Sequence, residues 1–88
     1  MPSLSSFYGI IIYMYMETGK KHNVPHIHAE FAEYSAVFDF YGNLIEGQFP
    51  SNKRKLVEAW VLIHEDELKS TWNLLSRGEQ INRIDPLI

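Results

Sequence analysis

The chain has 88 residues, of which 45% are hydrophobic and 14% aromatic, and its formal net charge is −3. This composition excludes a disordered polypeptide and predicts a single domain over residues 1–88. The lack of cysteine excludes disulfides, thiolate zinc sites and cysteine nucleophiles, and the acidic balance disfavours a nucleic-acid binder, which usually has a basic face.

The first predicted strand, Phe7–Met16, is apolar or aromatic throughout. We therefore expect a helix to cover one of its faces and a partner to cover the other. The run is shorter than the roughly 20 residues of a membrane span, and it lacks the charged start of a signal peptide. These features predict a soluble, cytoplasmic protein with no membrane contact.

A polar loop is predicted at residues 17–23, and Pro25 favours extended backbone where the next strand begins. Further turn residues separate the later strands, which are predicted at His26–Phe31, Tyr34–Tyr41 and Leu44–Phe49. Because short loops of this kind join strands that run in opposite directions, the sequence predicts an antiparallel meander of three to four strands.

The second half of the chain is predicted to be helical from about residue 52 to residue 77, with Ser51 as N-cap. One straight helix of that length would extend about 39 Å and overhang so small a sheet. We therefore expect either two shorter helices divided near His64 or one long helix, packed on the sheet. The apolar tail, residues 79–88, is expected to lie on the sheet or on a neighbouring chain. The predicted fold class is α+β.

The stretch "HNVPHIHAEF" contains the main candidate site. Strand alternation places His26, His28 and Glu30 on one face, where they could hold a divalent metal such as zinc or act as catalytic acid and base. The opposing interpretation is the ordinary polar face of a half-buried strand. A metal would need a further ligand, for which His64 or His22 is the candidate. His64 lies on the apolar helix face, so a buried histidine bonded to a carbonyl or carboxylate is the favoured alternative.

A second candidate is the basic run Lys53-Arg54-Lys55 at the start of the helical half. Cations are unfavourable beside the positive end of a helix dipole, which favours a contact with nucleic-acid phosphate or an acidic partner. A solvated charged turn is the favoured alternative in a protein that is acidic overall.

Several stretches together resemble the small bacterial domain-of-unknown-function family 4160, over about Pro2 to Leu87. They are "FYGIIIYMY", "PHIHAEF", "AEYSAVFDFYGNLIEGQFP", the helical patterns Leu-Val-x-x-Trp and His-x-x-Glu-Leu, and the final Ile-x-Pro-Leu. The most specific of them is Pro25-His26-Ile27-His28. Val24 stands where the family usually has a first proline.

The resemblance implies a bacterial protein whose biochemical activity is not established. Genes of the family often lie beside those of domain-of-unknown-function family 2442, which implies a regulatory pair of the toxin–antitoxin kind. We therefore expect a protein-interaction or regulatory module that is either a homo-oligomer or bound to a small partner protein from the adjacent gene. The alternative is a metal-binding or hydrolytic, RNase-like site at His26, His28 and Glu30; a nucleic-acid partner is not favoured.

Overall fold

Short turns divide the first half of the chain into five strands in the computed structural model, which describes residues 3–16 and 24–87. The strands are β1 Ser5–Phe7, β2 Ile10–Tyr13, β3 His26–Phe31, β4 Tyr34–Asp39 and β5 Leu44–Gly47. Each pairs antiparallel with the next, so the sheet order is the chain order. The predicted antiparallel meander is confirmed over these residues, with one or two more strands than expected.

The extra strand arises because a turn interrupts the predicted strand Phe7–Met16 after Phe7. Ser5–Phe7 then form a separate strand that pairs with Ile10–Tyr13. Tyr8 and Gly9 both have positive φ, 51° and 79°, which is the backbone of a tight two-residue hairpin turn. The predicted loop at residues 17–23 lies outside the described residues.

One face of the sheet forms the core together with the helices. The buried strand residues on this face alternate with residues of the other face, as the two-residue period of a strand requires. They share one apolar cluster with buried helix residues; the main members are Ile10, Ile12, Ile27, Ala29, Ala36, Phe38, Val57, Trp60, Val61 and Leu68. The Trp60 ring stacks on Phe7 with their centroids 5.7 Å apart. Burial of this cluster holds the two layers together.

The helical half consists of α1 Ser51–Ile63 and α2 Glu65–Ser76, which confirms the expectation of two shorter helices divided near His64. The His64 amide still donates to the Trp60 carbonyl, and the His64 carbonyl still accepts from Leu68. His64 therefore keeps a backbone hydrogen bond to each of the two helices. Ser51 is the first helical residue rather than the N-cap, a position that Pro50 occupies.

The first turn of α2 follows the helix dipole. Three acidic residues, Glu65 to Glu67, fill its first turn, where negative charge is favourable. Glu65 also pairs with Lys69 at 2.9 Å, and this hydrogen bond and charge raise the pKa of Lys69 above its ordinary value. Gly78 has φ +75° just after the helix, a conformation that glycine adopts readily, and α2 ends at Ser76, one residue before the predicted end.

The apolar tail lies on the chain's own core. The Ile84 amide donates to the Leu4 carbonyl at 2.9 Å, and Trp60 Nε1 donates to the Asp85 carbonyl at 2.8 Å. Ile84 itself is buried. No helix in the described part of the chain is both long and apolar enough to cross a membrane.

Candidate functional site

The face of the sheet opposite the core carries the candidate site, and we call it the open face. Strand register places Tyr13, His28, Val37 and Glu46 directly beside one another across β2 to β5. The neighbouring row on the same face is formed by Ile11, Glu30 and Ser35. The sequence predicted His26, His28 and Glu30 on one face. His28 and Glu30 line the open face, whereas His26 is buried against Trp72 of α2.

A concavity of about 290 Å³ lies on this face. Its side chains come from four strands and the residues after β2, namely Tyr13, Tyr15, His28, Glu30, Ser35, Val37 and Glu46. Tyr15 stacks on His28 with ring centroids 4.2 Å apart and planes 11° from parallel. The Tyr15 hydroxyl lies 3.2 Å from His28 Nδ1. The concavity thus combines an aromatic wall with two carboxylates.

His26 has a different environment from His28, although both lie in β3. Its side chain is 1% exposed, and its ring lies 5.3 Å from Trp72 of α2 and 5.1 Å from the His28 ring, measured between centroids. His26 Nδ1 lies 2.8 Å from the Val24 carbonyl. Because a carbonyl oxygen only accepts, the proton must be on Nδ1 of His26. His26 therefore ties the start of β3 to the helical layer.

His64 lies at the break between the helices, where it pairs with Glu67 at 2.5 Å and contacts the Trp60 ring. Its side chain is 11% exposed. These contacts match the favoured alternative of a largely buried histidine bonded to a carboxylate. Within residues 3–16 and 24–87, no three histidine or acidic side chains come together in a group that could hold a metal ion. His22, the other predicted ligand, lies outside the described residues.

Two members of the basic run have partners within the chain. Lys53 Nζ lies 4.9 Å from the centre of the Phe31 ring and 3.4 Å from the Tyr8 carbonyl. Arg54 pairs with Glu58 at 3.1 Å, one helical turn later. Lys55 is exposed. A contact of this run with phosphate or an acidic partner stays a prediction, although Lys53 and Arg54 already have structural roles.

Sequence reasoning missed five side chains of the concavity: Tyr13, Tyr15, Ser35, Val37 and Glu46. Alternation within each strand could have placed Tyr13 and Tyr15 together on one face. Which residues of different strands meet depends on register, and register depends on turn lengths that the apolar run at residues 7–16 does not reveal.

These observations define a small α+β protein with a meander sheet, two helices on one face and an aromatic, acidic concavity on the other. The chain belongs to the family described as Domain of unknown function (DUF4160), whose model matches residues 9–73. The suspected family is thereby confirmed. The chain matches no curated protein and no solved structure.

The described side chains of the open face could take part in proton exchange, ring stacking and the pairing of cations. His28 could accept or donate a proton, and the carboxylates of Glu30 and Glu46 attract positive groups. The same carboxylates repel the phosphates of a nucleic acid.

Proposed function

We propose that this protein is a regulatory protein-interaction module and that its open face receives the partner. The partner is a small protein encoded by the adjacent gene, in a pair of the toxin–antitoxin kind, acting in the cytoplasm. The observation that carries the proposal is a five-stranded sheet whose helices share a core with one face, while the opposite face presents a concavity.

The composition of the open face supports binding of a protein. Tyrosine is enriched at the centre of protein interfaces, and polar residues are typical of the rim. Here Tyr13, Tyr15 and Val37 line the concavity, and exposed Glu30 and Ser35 lie beside them. A partner would bury aromatic surface at the centre while the charged groups stay near solvent, where they favour specificity and fast association.

An RNase-like function at the same residues is the second candidate, and the geometry gives it less support. Metal-free cleavage of RNA needs two groups that exchange protons near one phosphate. His28 borders the concavity, but His26 is buried against Trp72 and its Nδ1 donates to a backbone carbonyl. The carboxylates nearby add electrostatic repulsion of the phosphate.

The proposal can be tested by co-expressing the chain with the tagged product of the adjacent gene and measuring the mass of the purified complex by light scattering. Ser35→Trp places a large side chain on the open face at an exposed position. We expect it to abolish co-purification. Ser70→Trp is the matched control, since it makes the same change at an exposed position of α2.

Both variants should keep the thermal midpoint of the parent chain within a few degrees, because exposed substitutions away from structural features change stability little. A complex that survives Ser35→Trp would refute the open face as the binding surface. If the chain alone forms a dimer that Ser35→Trp dissociates, the partner is a second copy and the adjacent gene product is not the occupant.

A further inference from the structure

We infer that the groove between α2 and the apolar tail binds a free α-amino acid that has an apolar side chain. The carboxylate of the ligand pairs with Arg83, and its ammonium group pairs with Asp66. This site goes beyond the proposed function, because its residues belong to α2 and the tail and none of them lies on the open face. Its shape, its two opposite charges and its apolar floor support the assignment.

The groove has a volume of about 330 Å³ and follows one side of α2. Asp66, Ser70 and Leu74 are each four residues apart, so their side chains lie in line along the helix. Residues 82–84 of the tail form the other wall. Ligand pockets range from roughly 300 to 1,000 Å³, so this groove suits a ligand as small as an amino acid.

Two opposite charges border the groove without pairing with each other. Asp66 and Arg83 are exposed, and neither side chain forms a hydrogen bond or an ion pair with another described residue. The hydrogen bond of Glu65 is the main cause that raises the pKa of Lys69, and the charge of Asp66 is the smallest. A zwitterion satisfies both groups of the groove at once, and its carboxylate can accept two parallel hydrogen bonds from the guanidinium.

The other polar groups of the groove are of two kinds. The Glu67 carboxylate already bonds to His64, so it is not counted as a ligand-binding group. The side chains of Ser70 and Asn82 form no hydrogen bond with another described residue. A hydroxyl and an amide can each donate and accept, so these two side chains can complete the hydrogen bonds of the charged ends of the ligand.

The floor of the groove is apolar and selects the side chain of the ligand. Ile84 and Thr71 are only 4% and 8% exposed, and Leu74 is half-buried beside them. An aliphatic side chain placed on Leu74 removes apolar surface from water on both molecules, which glycine cannot do. Exposed ion pairs contribute little each, so we expect an affinity in the millimolar range.

The test titrates the full chain with L-leucine and follows amide chemical shifts by NMR. We expect shifts concentrated on the residues of the groove, and much weaker binding of glycine. Leucinamide lacks the carboxylate and N-acetyl-leucine lacks the ammonium group. Each should bind about threefold to fivefold more weakly than leucine, because each loses one exposed ion pair.

Two variants assign each charge to its partner. Arg83→Gln should weaken leucine by about threefold to fivefold and leave the affinity for leucinamide unchanged. Asp66→Asn should weaken leucine equally and leave the affinity for N-acetyl-leucine unchanged. The matched controls Lys55→Gln and Glu33→Gln remove the same charges at exposed positions outside the groove, so they should change no affinity.

Equal weakening of leucine and leucinamide by Arg83→Gln would show that Arg83 does not bind the carboxylate, and the inference would be overturned. It would also be overturned if glycine binds as well as leucine or if the groove shows no shifts. As a second readout, leucine should raise the thermal midpoint of the parent chain more than that of Arg83→Gln. Ser35→Trp should bind leucine as the parent chain does, so failure of the open face as an interface leaves this result unaffected.

Discussion

Gly47 at the end of β5 allows a sharp test of how the sheet edge is built. Its φ is +90°, a conformation that residues with a Cβ rarely adopt. A Cβ at this position would meet the Ser35 carbonyl oxygen closer than any real contact, and it would lie 2.8 Å from the Ala36 Cα. Both atoms belong to the backbone of β4, so the overlap cannot be relieved by the movement of a flexible side chain.

The expected cost of Gly47→Ala has two parts. The left-handed backbone costs an alanine about 1–2 kcal/mol, and overlap with a neighbouring strand costs about 1–3 kcal/mol. We therefore expect a loss of about 2–5 kcal/mol in total. A domain of this size is stable by roughly 4–13 kcal/mol, so the variant should fold but melt at a lower temperature than the parent chain.

Gly78→Ala is the matched control. Gly78 also has a left-handed φ, +75°, but nothing lies within 4 Å of a Cβ added there. Only the cost of the left-handed backbone, about 1–2 kcal/mol, applies. Urea unfolding followed by tryptophan fluorescence gives both values from the shift in midpoint at constant slope. If Gly47→Ala costs no more than Gly78→Ala, the close approach of β4 and β5 that positions Glu46 is wrong.

Three further predictions follow from the contacts. His26→Ala should lower the free energy of unfolding in urea by about 2–3 kcal/mol, because it removes a buried ring and its hydrogen bond. His28 is half-buried, so His28→Ala should lower it by less than about 1 kcal/mol. Equal losses would contradict the roles assigned to the two histidines. Lys53→Met, which keeps the side-chain stem but removes the charge above an aromatic ring, should cost about 0.5–1 kcal/mol, and exposed Lys55→Met should cost nothing measurable. Elemental analysis of untagged protein should find less than stoichiometric zinc, iron or nickel, with thermal melting unchanged by a chelator; stoichiometric metal would require ligands beyond the described residues, of which His22 is one candidate.

Much of the fold was predictable because local patterns and turn residues agree. β3, β4 and β5 begin at the predicted residues, with short turns between them at residues 32–33 and 40–43. The hairpin at Tyr8 and Gly9 was missed because it interrupts a run in which every residue is apolar or aromatic. A run of this kind shows no alternation of apolar and polar residues whose interruption would reveal a turn. Tyr8, at φ 51°, is also not one of the residue types that favour turns.

The candidate site was predictable only within β3. Alternation placed His28 and Glu30 on one face, since that pattern depends on the strand alone. The neighbours Tyr13 and Glu46 come from other strands, and their positions require the register of the whole meander. The burial of His26 depends on Trp72, a residue of α2 that strand periodicity does not address.

The motif Pro25-His26-Ile27-His28 therefore has three physical roles in adjacent residues. Ile27 is buried in the core, and His26 joins the start of β3 to Trp72 through ring packing and to Val24 through a hydrogen bond. Only His28 borders the concavity, where Tyr15 stacks on it. In the sequence the two histidines suggest a shared metal site or a proton relay. In the structure His26 is a buried structural residue, and His28 lines the concavity. The open face thus contains His28 and its cross-strand neighbours, whereas His26 holds the start of β3 against the helical layer.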